Sequence, residues 1–133
     1  MTPRLCLDTS AYRFFKRGHA PVVQLLSSAR RVVVPTVVVG ELLAGFRLGS
    51  RAAKNEAELA EFLAQPVVEL LDVDSEVASV YADMVSALSR AGTPLPSNDI
   101  WIAAVAAREG VTVVTYDSHF ERLRHVAVRL LTH

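Results

Sequence analysis

A single cysteine in 133 residues leaves this chain no intrachain disulfide, and Cys6 lies inside the apolar run Arg-Leu-Cys-Leu, where a free thiol packs as a small hydrophobe. That usage fits a reducing compartment. Long hydrophobic runs are missing too. Pro35, Gly40 and Glu41 break one apolar stretch and Arg108 and Glu109 another, short of the roughly 18 residues a membrane-spanning helix needs. Only a short apolar run precedes Asp8, with none of the features of a secretory signal, so the expectation is a cytoplasmic protein with no membrane partner. The formal net charge is zero, which removes the whole-chain electrostatic signature of a nucleic-acid binder. No Cys–His pair, no His-Glu-x-x-His helix and no glycine-rich phosphate loop is present, and neither repeats nor linkers divide the chain.

Enough apolar material remains for a real core: 51% of the residues are hydrophobic and 21% charged, sufficient for one domain spanning 1–133. The pattern predicts strands over 4–8, 32–34, 67–71 and 112–116, with a last strand near 126–131. Helices are predicted over 9–17, 21–29, 36–48, 52–64, 75–91 and 98–109. Alternation of strands with helices implies an α/β fold, a mainly parallel central sheet covered by helices on both faces. The clearest helix starts after Asp74, a good N-cap. It carries Val77, Val80, Tyr81, Met84, Val85 and Leu88 on one stripe and stops at Gly92 and Pro94. The more polar stretch 52–64 is expected on the outside or against a partner.

Four acids stand out against this frame. Asp8 and Asp117 close the apolar runs of the first and fourth strands, the edge where open α/β sheets bind ligands. Asp99 opens a helix, where a carboxylate suits the macrodipole. Glu41 interrupts a stretch in which Val37, Val38, Leu42 and Leu43 look buried, and an unpaired buried carboxylate is costly. Singly, turns and helix starts account for Asp8, Asp99 and Asp117 as well. Gathered in one cleft, the four would repel one another unless a cation lay between them, and all-oxygen donors favour magnesium, or manganese, over zinc. Such a site performs metal-assisted phosphodiester hydrolysis. Asp8 and Asp99 are the first choices for direct ligands, with Asp117 and Glu41 completing the site or orienting water. Thr9, Ser10, Asn98 and Thr115 are placed to fix carboxylate geometry, or else to cap and turn the chain.

Cations are unevenly spread. Residues 1–65 hold nine Lys/Arg against five Asp/Glu, and residues 66–133 hold five against nine. Arg4, Arg13, Lys16, Arg17, Arg30, Arg31, Arg47, Arg51 and Lys54 offer a phosphate-binding rim beside the acids, or simply a solvated surface. His19, His119, His125 and His133 read as surface residues. Trp101 and Tyr116 read as core packing, with base stacking the alternative.

The blocks Leu-Asp-Thr-Ser-Ala-Tyr at 7–12, Gly-Glu-Leu-Leu-Ala-Gly at 40–45, 95–107 (LPSNDIWIAAVAA) and 114–123 (VTYDSHFERL) resemble PIN-domain proteins, and more narrowly VapC toxins. A helix opening with Asn-Asp and running into Ile-Ala-Ala, followed by Thr-x-Asp-x-x-Phe, is the most specific part. The resemblance implies a PIN-like fold and a Mg²⁺-dependent endoribonuclease whose four acids are Asp8, Glu41, Asp99 and Asp117, with Thr115 the accompanying hydroxyl and Phe120 a packing residue. It further implies an RNA substrate, a homodimer, and a VapB-type antitoxin that covers the acidic pocket within a hetero-oligomer. Val22, Val23, Leu25, Leu26 and helix 52–64 offer such an antitoxin a groove, although core packing accounts for the first four.

Three other folds or roles share parts of this pattern. A haloacid-dehalogenase-like phosphatase needs a second acid where this chain has Ser10, and a lysine beyond Lys54, which is the last. A receiver-type signalling domain needs an early acidic pair and a strand-end lysine, both missing. A PIN-like module that binds RNA or protein without cutting would be marked by loss of an acid, and none is lost.

Overall fold

The computed structural model describes residues 2–133. Along the chain run β1 (Arg4–Leu7), α1 (Thr9–Lys16), α2 (Ala20–Ser27), β2 (Arg31–Pro35), α3 (Thr36–Leu48), α4 (Ala52–Leu63), β3 (Val68–Leu71), α5 (Ser75–Ala91), α6 (Ser97–Glu109), β4 (Thr112–Thr115) and β5 (Val128–Leu130). All strand pairs are parallel, in the order β3-β2-β1-β4-β5. Cys6 pairs in register with Val33 on one side and Val113 on the other. β1, β2 and β4 are buried along nearly their whole length, as sheet strands covered on both faces must be, while the edge strands β3 and β5 keep partial exposure.

The chain steps outward from β1 to β2 to β3 and then crosses back to place β4 on the other side of β1. Right-handed crossovers in opposite directions put their helices on opposite faces. The strand order therefore reverses between β1 and β4, and a crevice opens at the carboxyl ends of those two strands. Asp8 leaves the first and Tyr116 and Asp117 leave the second.

Local chemistry sets the element ends. Asp8 is predicted as the last residue of the first strand; instead it is the N-cap of α1, its side chain accepting the Ala11 N–H at 2.8 Å. Asp74 caps α5 in the same way through the Val77 N–H at 2.9 Å, and Gly92 ends that helix at φ +68°, a conformation natural to glycine. Val77, Met84 and Leu88 form the buried stripe of α5, whereas Val85, expected with them, stands at the solvent edge. The last strand is shorter than expected. Asp117 accepts the His119 N–H and folds Ser118–Arg122 into a 3₁₀ turn that periodicity could not reveal. Phe120 sits fully buried in that turn. Val22 is buried and Leu25 and Leu26 pack on the core, so they form no open groove. In α4 Leu59 is buried, with Phe62 and Leu63 packed beside it, leaving the opposite face outward.

Candidate active site

Asp8, Glu41, Asp99 and Asp117 line one cavity of about 430 Å³ at the switch-point edge, together with Thr9, Ser10 and Arg13. Four sequence positions spanning the chain thus meet because two strand ends, the start of α6 and one face of α3 converge there.

Asp8 is the most constrained of the four. It is 4% exposed, and Thr115 Oγ1 donates to its Oδ2 at 2.5 Å. Ser10 Oγ lies 2.8 and 2.9 Å from its two oxygens, and the Ala11 N–H completes the set. Burial raises its pKa; the Thr115, Ala11 and Ser10 donors oppose that rise, and nearby Asp117 adds to it. The donors are themselves fixed: Ser10 Oγ accepts the Tyr116 N–H at 3.1 Å and Thr115 Oγ1 accepts the Asp117 N–H at 2.9 Å. The two strand ends flanking the crevice are thereby stitched together through one carboxylate.

Glu41 is half-buried rather than enclosed, and it is paired. Thr9 Oγ1 donates to one oxygen at 2.6 Å and Asn98 Nδ2 to the other at 3.3 Å, tying α3 to α1 and α6. Asp117 accepts the His119 N–H at 2.9 Å, and His119 Nδ1 lies 3.1 Å from the same oxygen. Asp99 differs from the other three: among the described residues its carboxylate makes no side-chain hydrogen bond and no ion pair. Burial first, then Asp117, Asp8 and Glu41, push its pKa up to about 6, with His119 pulling the other way. Beyond burial, the three neighbouring carboxylates therefore add to the cost of ionising Asp99. Among the described residues no three acids or histidines stand close enough to enclose a metal ion by themselves.

The cations separate by location. Arg13 lines the acidic cavity, and with Lys16, Arg17 and Lys54 it also lines a second one beside it. Arg31 is tied to Glu69 and Glu109, and Arg47 to Glu56. Arg4 and Arg30 line a cavity with Gly110 and Thr112, at the opposite end of the strands, so no single rim holds all nine. The histidines also divide. His19 is no bare surface residue: its Nδ1 lies 2.5 Å from the Tyr116 hydroxyl, and its ring stands edge-on to Phe14. Phe14 in turn stacks on Tyr116 and His133. This aromatic cluster backs the Tyr116 backbone whose N–H bonds Ser10, a support invisible in the linear order because its members are spread from 14 to 133. Trp101 stacks on Tyr81 at 3.7 Å between centroids, which is the packing role.

The chain is a doubly wound parallel α/β domain with an acid-lined crevice at the switch point of its sheet. The PIN domain family model matches residues 5–126, and the chain belongs to that family. It is 31% identical over 117 residues to Ribonuclease VapC5 of Mycobacterium tuberculosis, covering 88% of this chain and 85% of that one. The crystal structure of VapBC-5, a toxin–antitoxin system of the same organism, matches with a TM-score of 0.74 at 30% identity, over 98% of this chain and 100% of that chain. DNA-bound VapBC from Salmonella typhimurium shares the fold with a TM-score of 0.84 at 24% identity, over 96% and 98% of the two chains. No helix among the described residues is long and apolar enough to cross a membrane.

Proposed function

We propose that this protein is a Mg²⁺-dependent endoribonuclease, the toxin of a type II toxin–antitoxin pair, acting in the cytoplasm. The observation that carries the reading is the meeting of Asp8, Glu41, Asp99 and Asp117 on one cavity, where burial, and after it the charge of the other three acids, pushes Asp99 up to about 6. The donor set is all oxygen and over-charged, which fits a hard divalent cation. Magnesium keeps several of its waters, so carboxylates spread around one cavity can hold it partly through water. Asp99, with its lone pairs uncommitted, and Asp8 are the proposed direct ligands; Asp117 and Glu41 complete the site.

When bound, the cation supplies an activated water and neutralises charge on the phosphate oxygens. The residues of the chain supply geometry. Thr115, Ser10 and the Ala11 N–H hold Asp8 in one orientation, and Thr9 and Asn98 hold Glu41 facing the cavity. Water oxygen bonds to phosphorus, one P–O ester bond breaks, and the departing oxygen takes a proton; a carboxylate of the cavity takes the proton that the water gives up. The ribonuclease relatives and the toxin–antitoxin complexes among the similar structures support RNA as substrate and a VapB-type antitoxin as partner.

Purified protein free of antitoxin, incubated with total bacterial RNA and Mg²⁺, is expected to give discrete new 5′ ends. EDTA should abolish them, and Asp99→Asn should reduce them by at least about a hundredfold. Cutting that survives in Asp99→Asn refutes the reading.

A further inference from the structure

Beside the acidic cavity, α1, α3 and α4 enclose a second one of about 520 Å³, and Arg13 lines both. Its lining carries four cations, Arg13, Lys16, Arg17 and Lys54, against one carboxylate, Glu58. Lys16 Nζ lies 3.0 Å from one oxygen of Glu58 and Lys54 Nζ 3.9 Å from the other, so Glu58 bridges the two ammonium groups. Arg13 and Arg17 form no ion pair among the described residues. Tyr12 also lines the cavity. It is 3% exposed, yet its hydroxyl is buried with no hydrogen-bond partner. Burial, and after it the charge of Glu58, push the Tyr12 pKa up to about 12, so the hydroxyl keeps its proton and is a donor lacking an acceptor.

Surplus positive charge and a carboxylate held between two lysines describe the same missing group: a compact anion rich in acceptor oxygens. We infer that this groove holds a backbone phosphate of the RNA next to the scissile one, with Glu58 occupying the phosphate's place between Lys16 and Lys54 until RNA displaces it. The inference rests on the ribonuclease reading for the identity of the polymer. Arg13, shared by the two cavities, marks the path of the strand from one to the other. A basic groove suits single-stranded RNA, whose backbone is tracked by cations. It also resolves how a chain of zero net charge holds a polyanion: the cations are gathered locally.

The test is the affinity of a fluorescein-labelled single-stranded RNA of about a dozen nucleotides, measured by anisotropy against salt concentration in EDTA, with Asp99→Asn as the background so that nothing is cut. Adding Lys54→Ala or Arg17→Ala is expected to weaken binding roughly three- to tenfold and to flatten the log–log salt slope by about 0.7 per lost phosphate contact. Adding Glu58→Gln should tighten binding, an effect of opposite sign to that of a merely damaged fold. Lys54 and Arg17 are exposed, so their removal leaves the core intact. RNA cleavage by the otherwise native protein is followed in parallel. Normal cutting with all three affinities unmoved overturns the groove and leaves the ribonuclease reading standing; a groove that takes a protein chain instead gives this result. Affinities that move as expected without any cutting keep the groove and retire the nuclease. No measurable RNA binding by the background protein overturns the groove outright.

Discussion

Thr115 uses its hydroxyl twice, donating to Asp8 and accepting from the Asp117 N–H, in a fully buried position. Thr115→Val keeps the shape and removes both bonds, leaving a buried carboxylate short of a donor and a backbone N–H unpaired. The expected loss is about 2 kcal/mol in urea unfolding of the metal-free protein; a change below about 0.5 kcal/mol, the size of an ordinary surface substitution, would show that the bonds contribute nothing. Asp99 makes the opposite case. Its folded pKa is raised from 3.8 to about 6, so the unfolded chain gives up this proton first. The stability linked to this group is fully present below about pH 4 and is lost as the pH rises through 6. Metal-free Asp99→Asn is therefore expected to be more stable than the parent at pH 7.5, by on the order of 1 kcal/mol after allowing for solvent screening of a half-buried group, and to lose that advantage near pH 4. Denaturant midpoints at the two pH values decide it, and an advantage that does not depend on pH refutes the assignment.

Helix ends carry the next level of information. Gly110 closes α6 at φ +67° and leads directly into β4, with open space where a Cβ would stand. Gly110→Ala meets no atom, so its cost is backbone strain alone, about 1 kcal/mol, and it should leave RNA cleavage unchanged; a thermal melt and the cleavage assay together check this. Such caps are why the elements were legible. Asp74 and Gly92 bracket α5 in the sequence as they do in space. The same chemistry also misled where one residue serves two elements. Asp8 reads as the end of an apolar strand but caps the following helix, and Asp117 hides a 3₁₀ turn behind what looks like a loop. Val85 fell outside the buried stripe because a helical period fixes a face but not how wide a strip of it the neighbours cover.

For the whole molecule, the acidic cavity is a region of stored repulsion that a cation would relieve. Saturating Mg²⁺ at pH 7.5 is expected to raise the melting temperature of the native chain, by the equivalent of about 2.7 kcal/mol at one hundred times the dissociation constant, and to raise that of Asp8→Asn much less. Equal shifts in both would mean that the ion binds elsewhere.

Composition, turn chemistry and periodicity were sufficient for the α/β class and the buried parallel strands, because each rests on local preferences or on the amount of apolar surface to be buried. They also singled out the four acids, since a carboxylate at an apolar strand end, or within an apolar helix, is costly without a purpose. Tertiary structure alone decided the rest. The reversal of strand order between β1 and β4 brings Asp8 and Asp117 to one crevice and leaves Asp99 crowded by its neighbours. It was also the fold that sent Arg4 and Arg30 to the far end of the sheet while gathering Arg13, Lys16, Arg17 and Lys54 on one cavity. Electrostatic coupling depends on distance in space, and a linear chain records only which residues are available to be coupled.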